Sequence, residues 1–277
     1  MNRRKFVTQS VAAMATTRNT LALGLSHAAE AEQLPPLNHD RTVALDAKPS
    51  PIRIDPSRTA VIVVDMQNDF GSKGGMFDRA GIDISVIQRA VAPTARVLAV
   101  ARKAAIKIIY LKMAFLPDLS DIGPPDSPNW RVHQQTMHVG TTVQAPNGAE
   151  SRILIRDTWN TDIVDALRPA ASDIVIYKSR FSGFYGTDLD EILKRFGIRH
   201  LIVTGFTTSV CVESTIRDAM FRDYSPVLLE DCTAEPIGDG LSRSNYEASL
   251  LLLQIMLGST STSEQFILAI ESAAPSV

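Results

Sequence analysis

Five short runs of β-branched and aliphatic residues alternate with longer amphipathic stretches along the chain. The first run has no alternation of polar and apolar positions, which is typical of a parallel strand buried on both faces. The predicted strands are Thr59–Asp65, Lys107–Met113, Asp173–Lys178, Ile198–Thr204 and Ser225–Glu230. Strands separated by helices favour right-handed crossovers. The pattern therefore predicts an α/β fold, a doubly wound parallel sheet of five to six strands with helices on both faces.

Apolar residues recur at three- and four-residue spacing between these strands, as they do on one face of a helix. Residues 85–104 are predicted to form a helix that begins with Ser85 as its N-cap and that Pro93 kinks or splits. After the fourth strand the same spacing appears at Val212, Thr215, Ile216, Ala219 and Met220. The other predicted helices are Asp162–Leu167, Asp188–Phe196, Tyr246–Leu257 and Glu264–Ile270.

Residues 114–159 interrupt the alternation and are rich in proline and glycine. An irregular segment of this length inside a compact α/β domain is typical of a functional lid or of a disordered insertion. The sequence leaves both interpretations open. We call this segment the lid.

The stretch before the first predicted strand carries two patterns. Arg3 and Arg4 precede Phe6, an apolar stretch over residues 11–25 and an Ala-Glu-Ala sequence, which resembles a twin-arginine signal peptide over residues 1–31. Export to the periplasm is therefore expected; the alternative is a cytoplasmic protein in which the arginine pair is coincidental. Residues 32–56 are predicted as a linker or surface arm, and residues 57–272 as the folded domain.

Composition and charge exclude several classes of protein. The net charge of −2 gives no reason to expect nucleic acid or an anionic membrane as a partner. The two cysteines imply no disulfide framework, and the five histidines show no metal-binding spacing. No nucleotide-binding fingerprint is present, and no apolar run reaches the ~18–20 residues of a membrane span. We therefore expect a protein without a metal or cofactor that acts on a small molecule.

Three of the predicted strands lead into a chemically reactive side chain: Asp65, Lys178 and Cys211. Because parallel strands end at one edge of the sheet, where ligands bind, we expect these side chains to lie near one another. A carboxylate can accept the proton of a thiol, and a lysine can stabilise both anions. Each also has an ordinary explanation, as a capping carboxylate, a solvated lysine or a small buried cysteine.

Cys211 is predicted to lie in the first turn of the helix after the fourth strand. Unpaired N–H groups and the positive end of the helix dipole stabilise an anion at that place. We therefore expect the pKa of the Cys211 thiol to be lowered. Cys232 has no candidate base beside it in the sequence and is expected to pack next to the site.

The sequences around these residues resemble a known superfamily. Residues 65–70 (DMQNDF) and 204–212 (TGFTTSVCV), together with Lys178, are similar to the isochorismatase-like cysteine hydrolases. The similarity covers about residues 55–272. It implies a catalytic triad of Asp65, Lys178 and Cys211 in a protein that is usually a homo-oligomer.

The same resemblance implies details of the backbone near the cysteine. It implies a non-proline cis peptide between Phe206 and Thr207. It also implies an oxyanion hole formed by the backbone N–H groups of Thr207 and Cys211.

Shorter motifs indicate which subfamily of these hydrolases the chain resembles. Residues 113–118 lack the Asp-x-His metal site of the nicotinamidase members. Residues 127–130 (SPNW), 157–159 (DTW), 179–184 (SRFSGF) and 212–215 (VEST) look like those of the ureidoacrylate amidohydrolases. Hydrolases of biuret and of N-carbamoyl amino acids are competing interpretations. The ureidoacrylate enzymes are cytosolic, which conflicts with an export signal.

These observations predict an amidohydrolase that cleaves a C–N bond of a ureido or carbamoyl compound through an S-acyl intermediate. Phe70, Asn129, Trp130 and Phe181 are expected to contact the substrate. The alternative from another class is a non-catalytic binding protein on the same fold. Loss of one triad residue would favour that alternative, and all three residues are present.

Overall fold

A computed structural model describes residues 42–238 and 244–273, so the predicted signal peptide lies outside the described residues. The strands are β1 (Val43–Leu45), β2 (Ile52–Ile54), β3 (Thr59–Val64), β4 (Lys107–Met113), β5 (Thr142–Gln144), β6 (Glu150–Arg152), β7 (Ile174–Lys178), β8 (His200–Phe206), β9 (Ser225–Ala234) and β10 (Ser259–Ser261). The helices are α1 (Asn68–Gly71), α2 (Met76–Arg79), α3 (Ser85–Arg89), α4 (Val91–Lys103), α5 (Pro128–Trp130), α6 (Leu189–Arg195), α7 (Glu213–Met220), α8 (Asn245–Leu252) and α9 (Ser263–Glu271).

A six-stranded parallel sheet forms the centre of the fold, in the order β10-β9-β8-β3-β4-β7. The chain starts in the middle at β3, builds outward through β4 to β7, and then returns to the other side of β3 for β8. Between β3 and β8 the direction in which the chain adds strands to the sheet reverses. In such sheets a crevice that can bind ligands forms at this position, beyond the C-terminal ends of the strands. The predicted fold class is confirmed, and β10 is the sixth strand.

Helices cover both faces of the sheet, and consecutive residues of β3 alternate between two apolar layers. Val61 and Val63 pack in the layer that contains α3, α4 and α9. Ala60, Ile62 and Val64 pack in the layer that contains α6, α7 and the residues after α8. All six residues of β3 are buried, which explains why its sequence shows no polar alternation.

The first two strands lie within residues 32–56, the range predicted as a linker or surface arm, of which residues 32–41 lie outside the described residues. β1 and β2 form an antiparallel hairpin in which Leu45 and Ile54 are fully buried. The backbone of Lys48 exchanges two hydrogen bonds with Thr260, at 2.8 and 3.0 Å, beside strand β10. The hairpin is therefore part of the folded domain, which its short strands and prolines did not indicate.

The predicted split of the helix over residues 85–104 is confirmed, whereas its predicted N-cap and one other predicted helix are wrong. Residues 85–104 form α3 and α4, which meet at Ala90, and Pro93 lies in the first turn of α4. Proline fits there because the N–H groups of a first turn have no partner within the helix. The N-cap is Ile84 rather than Ser85. Residues 162–167, predicted as a helix, contain only one turn of 3₁₀-helix, at Asp165–Leu167.

The lid is ordered, which excludes the interpretation as a disordered insertion. It contains α5, a π-helical turn over Arg131–Thr136 and the antiparallel hairpin of β5 and β6. Gly148, between β5 and β6, has a φ of 82°, a conformation that glycine adopts without strain. Glycines and prolines therefore build the turns of a compact lid.

Within residues 42–238 and 244–273, no helix is long and apolar enough to cross a membrane.

Gly205 generates a prediction about the sheet. It has a φ of +123°, and a Cβ added there would lie 2.0 Å from the carbonyl oxygen of Val64 on the neighbouring strand. Because this contact is with the backbone, we expect Gly205→Ala to lower the free energy of unfolding by ~3 kcal/mol or more. Chemical denaturation followed by circular dichroism measures this change.

The control is Gly197→Ala, since Gly197 has a φ of +62° and open space around its Cα. It should lose only about 1 kcal/mol, the strain of a left-handed backbone. Equal losses in the two variants would contradict the steric explanation.

Candidate active site

Asp65 lies directly after β3, at the point where the strand order reverses. Its φ of +50° turns the chain sharply, and the Gln67 N–H donates to the Asp65 carbonyl at 2.8 Å. Aspartate is one of the few side chains that tolerate this conformation. The Met113 N–H of β4 donates to Asp65 Oδ1 at 2.8 Å, so the neighbouring strand fixes the carboxylate.

Lys178 is the last residue of β7, two strands away from β3. Its Nζ lies 2.8 Å from Asp65 Oδ2, and the two side chains are 0% and 1% exposed. The ammonium also donates to the carbonyl of Arg180 at 3.2 Å and lies 3.6 Å from the Met113 sulfur. The lysine is therefore not a solvated strand end but half of a buried ion pair.

Cys211 lies in a π-helical turn, Thr208–Val212, between β8 and α7. Its carbonyl accepts a hydrogen bond from Thr215 Oγ1 at 2.7 Å, which anchors the turn to α7. The thiol interacts electrostatically with both Asp65 and Lys178, as the pKa shifts of the three groups show. The structure thus brings together the three side chains that the sequence places at strand ends.

Burial dominates the protonation of this cluster. It raises the pKa of Asp65, and Lys178 acts in the opposite direction. Burial alone would lower the pKa of Lys178, but the attraction of Asp65 and Cys211 leaves it raised. The pKa of the Cys211 thiol is also raised by burial, although Lys178 acts to lower it. This direction is opposite to the predicted lowering of the thiol pKa, because the loss of hydration outweighs the attraction of the Lys178 ammonium.

These directions describe a neutral thiol beside an aspartate–lysine ion pair. A carboxylate with a raised pKa is a better base than an ordinary aspartate. If the proton moves from Cys211 to Asp65, the ammonium of Lys178 faces a thiolate instead of a carboxylate. The transfer leaves the total charge of the buried cluster unchanged.

The backbone before Cys211 has an unusual arrangement. The peptide between Phe206 and Thr207 is cis. The Thr207 carbonyl accepts hydrogen bonds from the N–H groups of Val210 and Val212, at 3.1 and 3.2 Å. In the described parts of the chain, the Thr207 N–H has no hydrogen-bond acceptor.

Gln67 is a functional residue that the sequence reasoning missed. Its side-chain amide donates to the carbonyls of Met113 and Thr161, at 3.0 and 3.2 Å, and its Oε1 accepts from the Met113 N–H at 2.8 Å. It therefore connects the ends of β3 and β4 to the segment that follows the lid. A run of polar residues directly after a buried strand could have indicated this role.

Asn68 and Asp69 continue this connection and hold the lid. Asn68 Nδ2 donates to the carbonyl of Trp159 at 2.8 Å. The Asp69 carboxylate accepts from the N–H groups of Met76 and Leu154, at 2.9 and 2.7 Å, and from the side chain of Asn160. Burial raises the pKa of Asp69 to about 7. The motif after β3 thus supplies one reactive carboxylate and three side chains that bind backbone.

The four expected substrate contacts occupy different environments. Phe70 is buried in α1 and packs edge-to-face on Phe77, with ring centroids 5.1 Å apart. Asn129 Nδ2 donates to the carbonyl of Ile122 at 2.8 Å, within the lid. Trp130 is half-buried in α5, and the half-buried Phe181 lies in the loop after Lys178. Phe181 lies three residues after Lys178 in the chain.

Cys232 is not a neighbour of Cys211. It is fully buried in β9, in the apolar layer of α3, α4 and α9, whereas Cys211 belongs to the opposite layer. Burial raises the pKa of its thiol. The residues that the structure describes contain no cluster of three or more His, Cys, Asp or Glu side chains able to hold a metal ion.

Comparisons with known proteins agree with the motifs and the fold. The isochorismatase domain family matches residues 59–265. The ureidoacrylate amidohydrolase RutB of Caulobacter segnis is 38% identical over 224 residues, which are 81% of this chain and 90% of that protein. The protein of the same name from Methylorubrum extorquens is 41% identical over 198 residues, 72% of this chain and 78% of that protein.

Among solved structures, a cysteine hydrolase from Pseudomonas syringae pv. phaseolicola is similar to this chain. It has a TM-score of 0.66 and 32% sequence identity, and the match covers 80% of this chain and 96% of that one. The similarity to the superfamily that the motifs indicated is therefore confirmed.

The buried ion pair leads to a prediction for Lys178→Met. The variant leaves Asp65 as an uncompensated buried charge, so we expect a loss of ~3–5 kcal/mol in the free energy of unfolding at pH 7. The folded-state pKa of Asp65 rises further above its unfolded value. The loss should therefore shrink as the pH falls, because the carboxylate then takes up a proton. Denaturation at pH 5 and pH 7.5 measures both effects.

Lys112→Met is the matched control, since Lys112 is also a mostly buried lysine on a strand of the same sheet. Its ion-pair partner, Asp162, is 3.9 Å away and largely exposed, so no buried anion remains after the substitution. A Lys178→Met penalty that is no larger than the control, or that is independent of pH, would contradict the prediction.

Proposed function

The chain belongs to the isochorismatase family and is a hydrolase that acts on C–N bonds; from that premise we propose that it is a metal-independent cysteine amidohydrolase of ureido or carbamoyl compounds. The observation that carries the proposal is the buried cluster of Asp65, Lys178 and Cys211 beyond the ends of β3, β7 and β8. This cluster contains a nucleophile, a base and a fixed positive charge, which are the groups that covalent hydrolysis requires.

The first step is proton transfer. Asp65 takes the proton of the Cys211 thiol, and Lys178 stabilises the thiolate that forms. The raised pKa of Asp65 favours this transfer, and the Met113 N–H holds its other oxygen in place. The thiolate attacks the carbonyl carbon of the carbamoyl group, and the negative charge moves to the carbonyl oxygen.

The oxygen of this tetrahedral intermediate requires hydrogen-bond donors. We assign them to the backbone N–H groups of Thr207 and Cys211. Support comes from Thr207, whose N–H has no acceptor in the described residues and lies four positions before the nucleophile. The intermediate then collapses, the C–N bond breaks, and Asp65 returns its proton to the leaving amine.

The second half of the reaction releases the carbamoyl group from sulfur. Asp65, again a carboxylate, takes a proton from a water molecule, which attacks the carbonyl carbon of the S-carbamoyl group. The C–S bond breaks, and the Cys211 sulfur leaves as a thiolate that regains a proton from Asp65. The product is a carbamate, which decomposes to ammonia and carbon dioxide.

The first candidate substrate is ureidoacrylate. Two relatives at 38% and 41% identity carry the name ureidoacrylate amidohydrolase, and the match includes 90% and 78% of their lengths. Biuret and N-carbamoyl amino acids present the same carbamoyl group and are the alternatives. A panel of the three compound classes, assayed for ammonia release, separates them by their values of kcat/KM.

Substitution of the nucleophile tests the mechanism. We expect Cys211→Ala to lower kcat for ureidoacrylate by about 10⁴-fold or more, as removal of a nucleophile does in other covalent hydrolases. The fold should be preserved, because the smaller side chain removes no buried charge. Ammonia release and circular dichroism measure the two quantities.

Cys232→Ala is the control, since Cys232 is the other buried cysteine and packs in the opposite apolar layer. It should keep its kcat. Turnover in Cys211→Ala at the wild-type rate would refute the mechanism, and no turnover of any ureido compound by the wild-type protein would refute the substrate class.

We also propose that the protein is a homo-oligomer. Three large apolar side chains on α8 and the turn after it, spaced for one helical face, are 57%, 65% and 66% exposed: Leu251, Ile255 and Met256. Contiguous exposed apolar side chains are typical of protein interfaces. A second copy of the chain is the occupant that the family resemblance indicates.

Light scattering after gel filtration tests the oligomer. The wild-type mass should be a multiple of 30.2 kDa, and Ile255→Asp should reduce it, because a charge in an apolar interface is unfavourable. Leu268→Asp, at another exposed apolar position on α9, should leave the mass unchanged. A monomeric wild-type protein would contradict the proposal.

Export by the Arg3-Arg4 signal remains a separate proposal, with a cytoplasmic location as the alternative. Mass spectrometry of the protein from its native cells tests it. An N-terminus near residue 32 supports export, and a chain that begins at Met1 or Asn2 contradicts it.

A further inference from the structure

His133 is a buried histidine of the lid that the mechanism above does not use. It is 0% exposed, and its ring lies between two aromatic rings. The centroid of Phe115, two residues after β4, is 5.0 Å away, and that of Phe181, in the loop after Lys178, is 5.5 Å away. Because β4 and β7 are neighbours in the sheet, His133 lies above the same edge as the catalytic cluster.

The hydrogen bonds of His133 determine which ring nitrogen carries the proton. Nδ1 lies 2.7 Å from the carbonyl oxygen of Asn129, which can only accept, so Nδ1 carries the hydrogen. Burial lowers the pKa of His133 to about 4, and the positive charges of Lys178 and Arg180 contribute to the lowering. The ring is therefore neutral at pH 7, and Nε2 is an acceptor.

Nε2 is buried and has no partner among the described residues. A buried acceptor without a donor is unfavourable, and unpaired polar atoms in a native structure often mark a functional position. Nε2 is the ring nitrogen farther from the His133 backbone. It lies between the rest of the lid and the loop after Lys178. The ring contacts Phe181, which lies three residues after Lys178 in the chain, and this contact places His133 on the side of the catalytic cluster.

We propose that His133 Nε2 accepts a hydrogen bond from the terminal –NH₂ of the carbamoyl group and thereby selects for ureido substrates. This inference rests on the proposed function. In the mechanism above, the carbonyl oxygen faces the N–H groups of Thr207 and Cys211, and the leaving nitrogen faces Asp65. The –NH₂ is the remaining substituent on the planar carbon, and it offers only donors. A neutral imidazole accepts such a donor without taking its proton.

Two substrates that differ at this one group provide the test. 3-Ureidoacrylate and 3-acetamidoacrylate have the same leaving amine, but a methyl group of similar size replaces the –NH₂ in the second. The ratio of the two kcat/KM values is measured in the wild-type protein and in a variant. Comparing the two ratios cancels the difference in intrinsic reactivity between the two compounds. General damage to the site by a substitution would lower both values together and leave the ratio unchanged.

We expect His133→Phe to reduce the preference for the ureido compound by ~10- to 100-fold, mainly through a lower kcat/KM for 3-ureidoacrylate. Phenylalanine keeps an aromatic ring between Phe115 and Phe181 and removes the acceptor. If this variant does not fold, His133→Leu takes its place. His138→Asn is the control, because His138 is an exposed histidine of the same lid, and it should keep the wild-type ratio.

The possible outcomes separate this inference from the proposed function. If the wild-type protein hydrolyses 3-ureidoacrylate and the ratio is unchanged in the His133 variant, the inference is wrong and the proposed function stands. If the wild-type protein hydrolyses neither compound, the inference is wrong, and the proposed function is wrong as well if biuret and N-carbamoyl amino acids are also not hydrolysed. A ratio that changes equally in His138→Asn would also overturn the inference.

Discussion

A buried ion pair between Asp65 and Lys178, electrostatically coupled to the Cys211 thiol, is the interaction on which the candidate site depends. Burying two charges requires the loss of their hydration, which their mutual attraction offsets only when the geometry is close to ideal. The protein meets this requirement with backbone groups, since the Met113 N–H binds the carboxylate and the Arg180 carbonyl binds the ammonium. Such an arrangement is poor evidence for stability, but in the proposed mechanism it supplies the base and the counter-charge for the cysteine.

Burial of Cys211 also explains why the proposed mechanism needs a base to take the thiol proton. A thiol in an exposed position at a helix end would ionise without help. Cys211 is buried, its pKa is raised, and it shares the cluster with a carboxylate whose pKa is raised by the same burial. The side chains of Asn68 and Asp69 bind the backbone of the lid, and Gln67 binds the backbone of Thr161 just after it.

The sequence predicted the parallel sheet with helices on both faces, and it placed Asp65, Lys178 and Cys211 at one edge of that sheet. The run at residues 59–65 has the composition of a buried parallel strand, and reactive groups after such strands must share one edge of the sheet. The direction of the thiol pKa was not predictable, because it depends on how completely the folded chain buries Cys211. The hairpin at residues 43–54 was missed because its strands have three residues each and are held by distant partners. His133 gave no sign in the sequence, since only the folded lid leaves one of its nitrogens without a partner.

The contact between Lys48 and Thr260 has a consequence for how copies of the protein meet. An open sheet exposes unpaired N–H and C=O groups on its outermost strands, and these can recruit the strand of another molecule into an aggregate. Here the two backbone hydrogen bonds between Lys48 and Thr260 occupy part of the free side of β10, and the Lys48 ammonium pairs with Glu230 at 3.1 Å. The N-terminal hairpin thus acts as a cover that protects the sheet from uncontrolled edge-to-edge pairing. A shortened protein that lacked residues 43–54 would expose this edge.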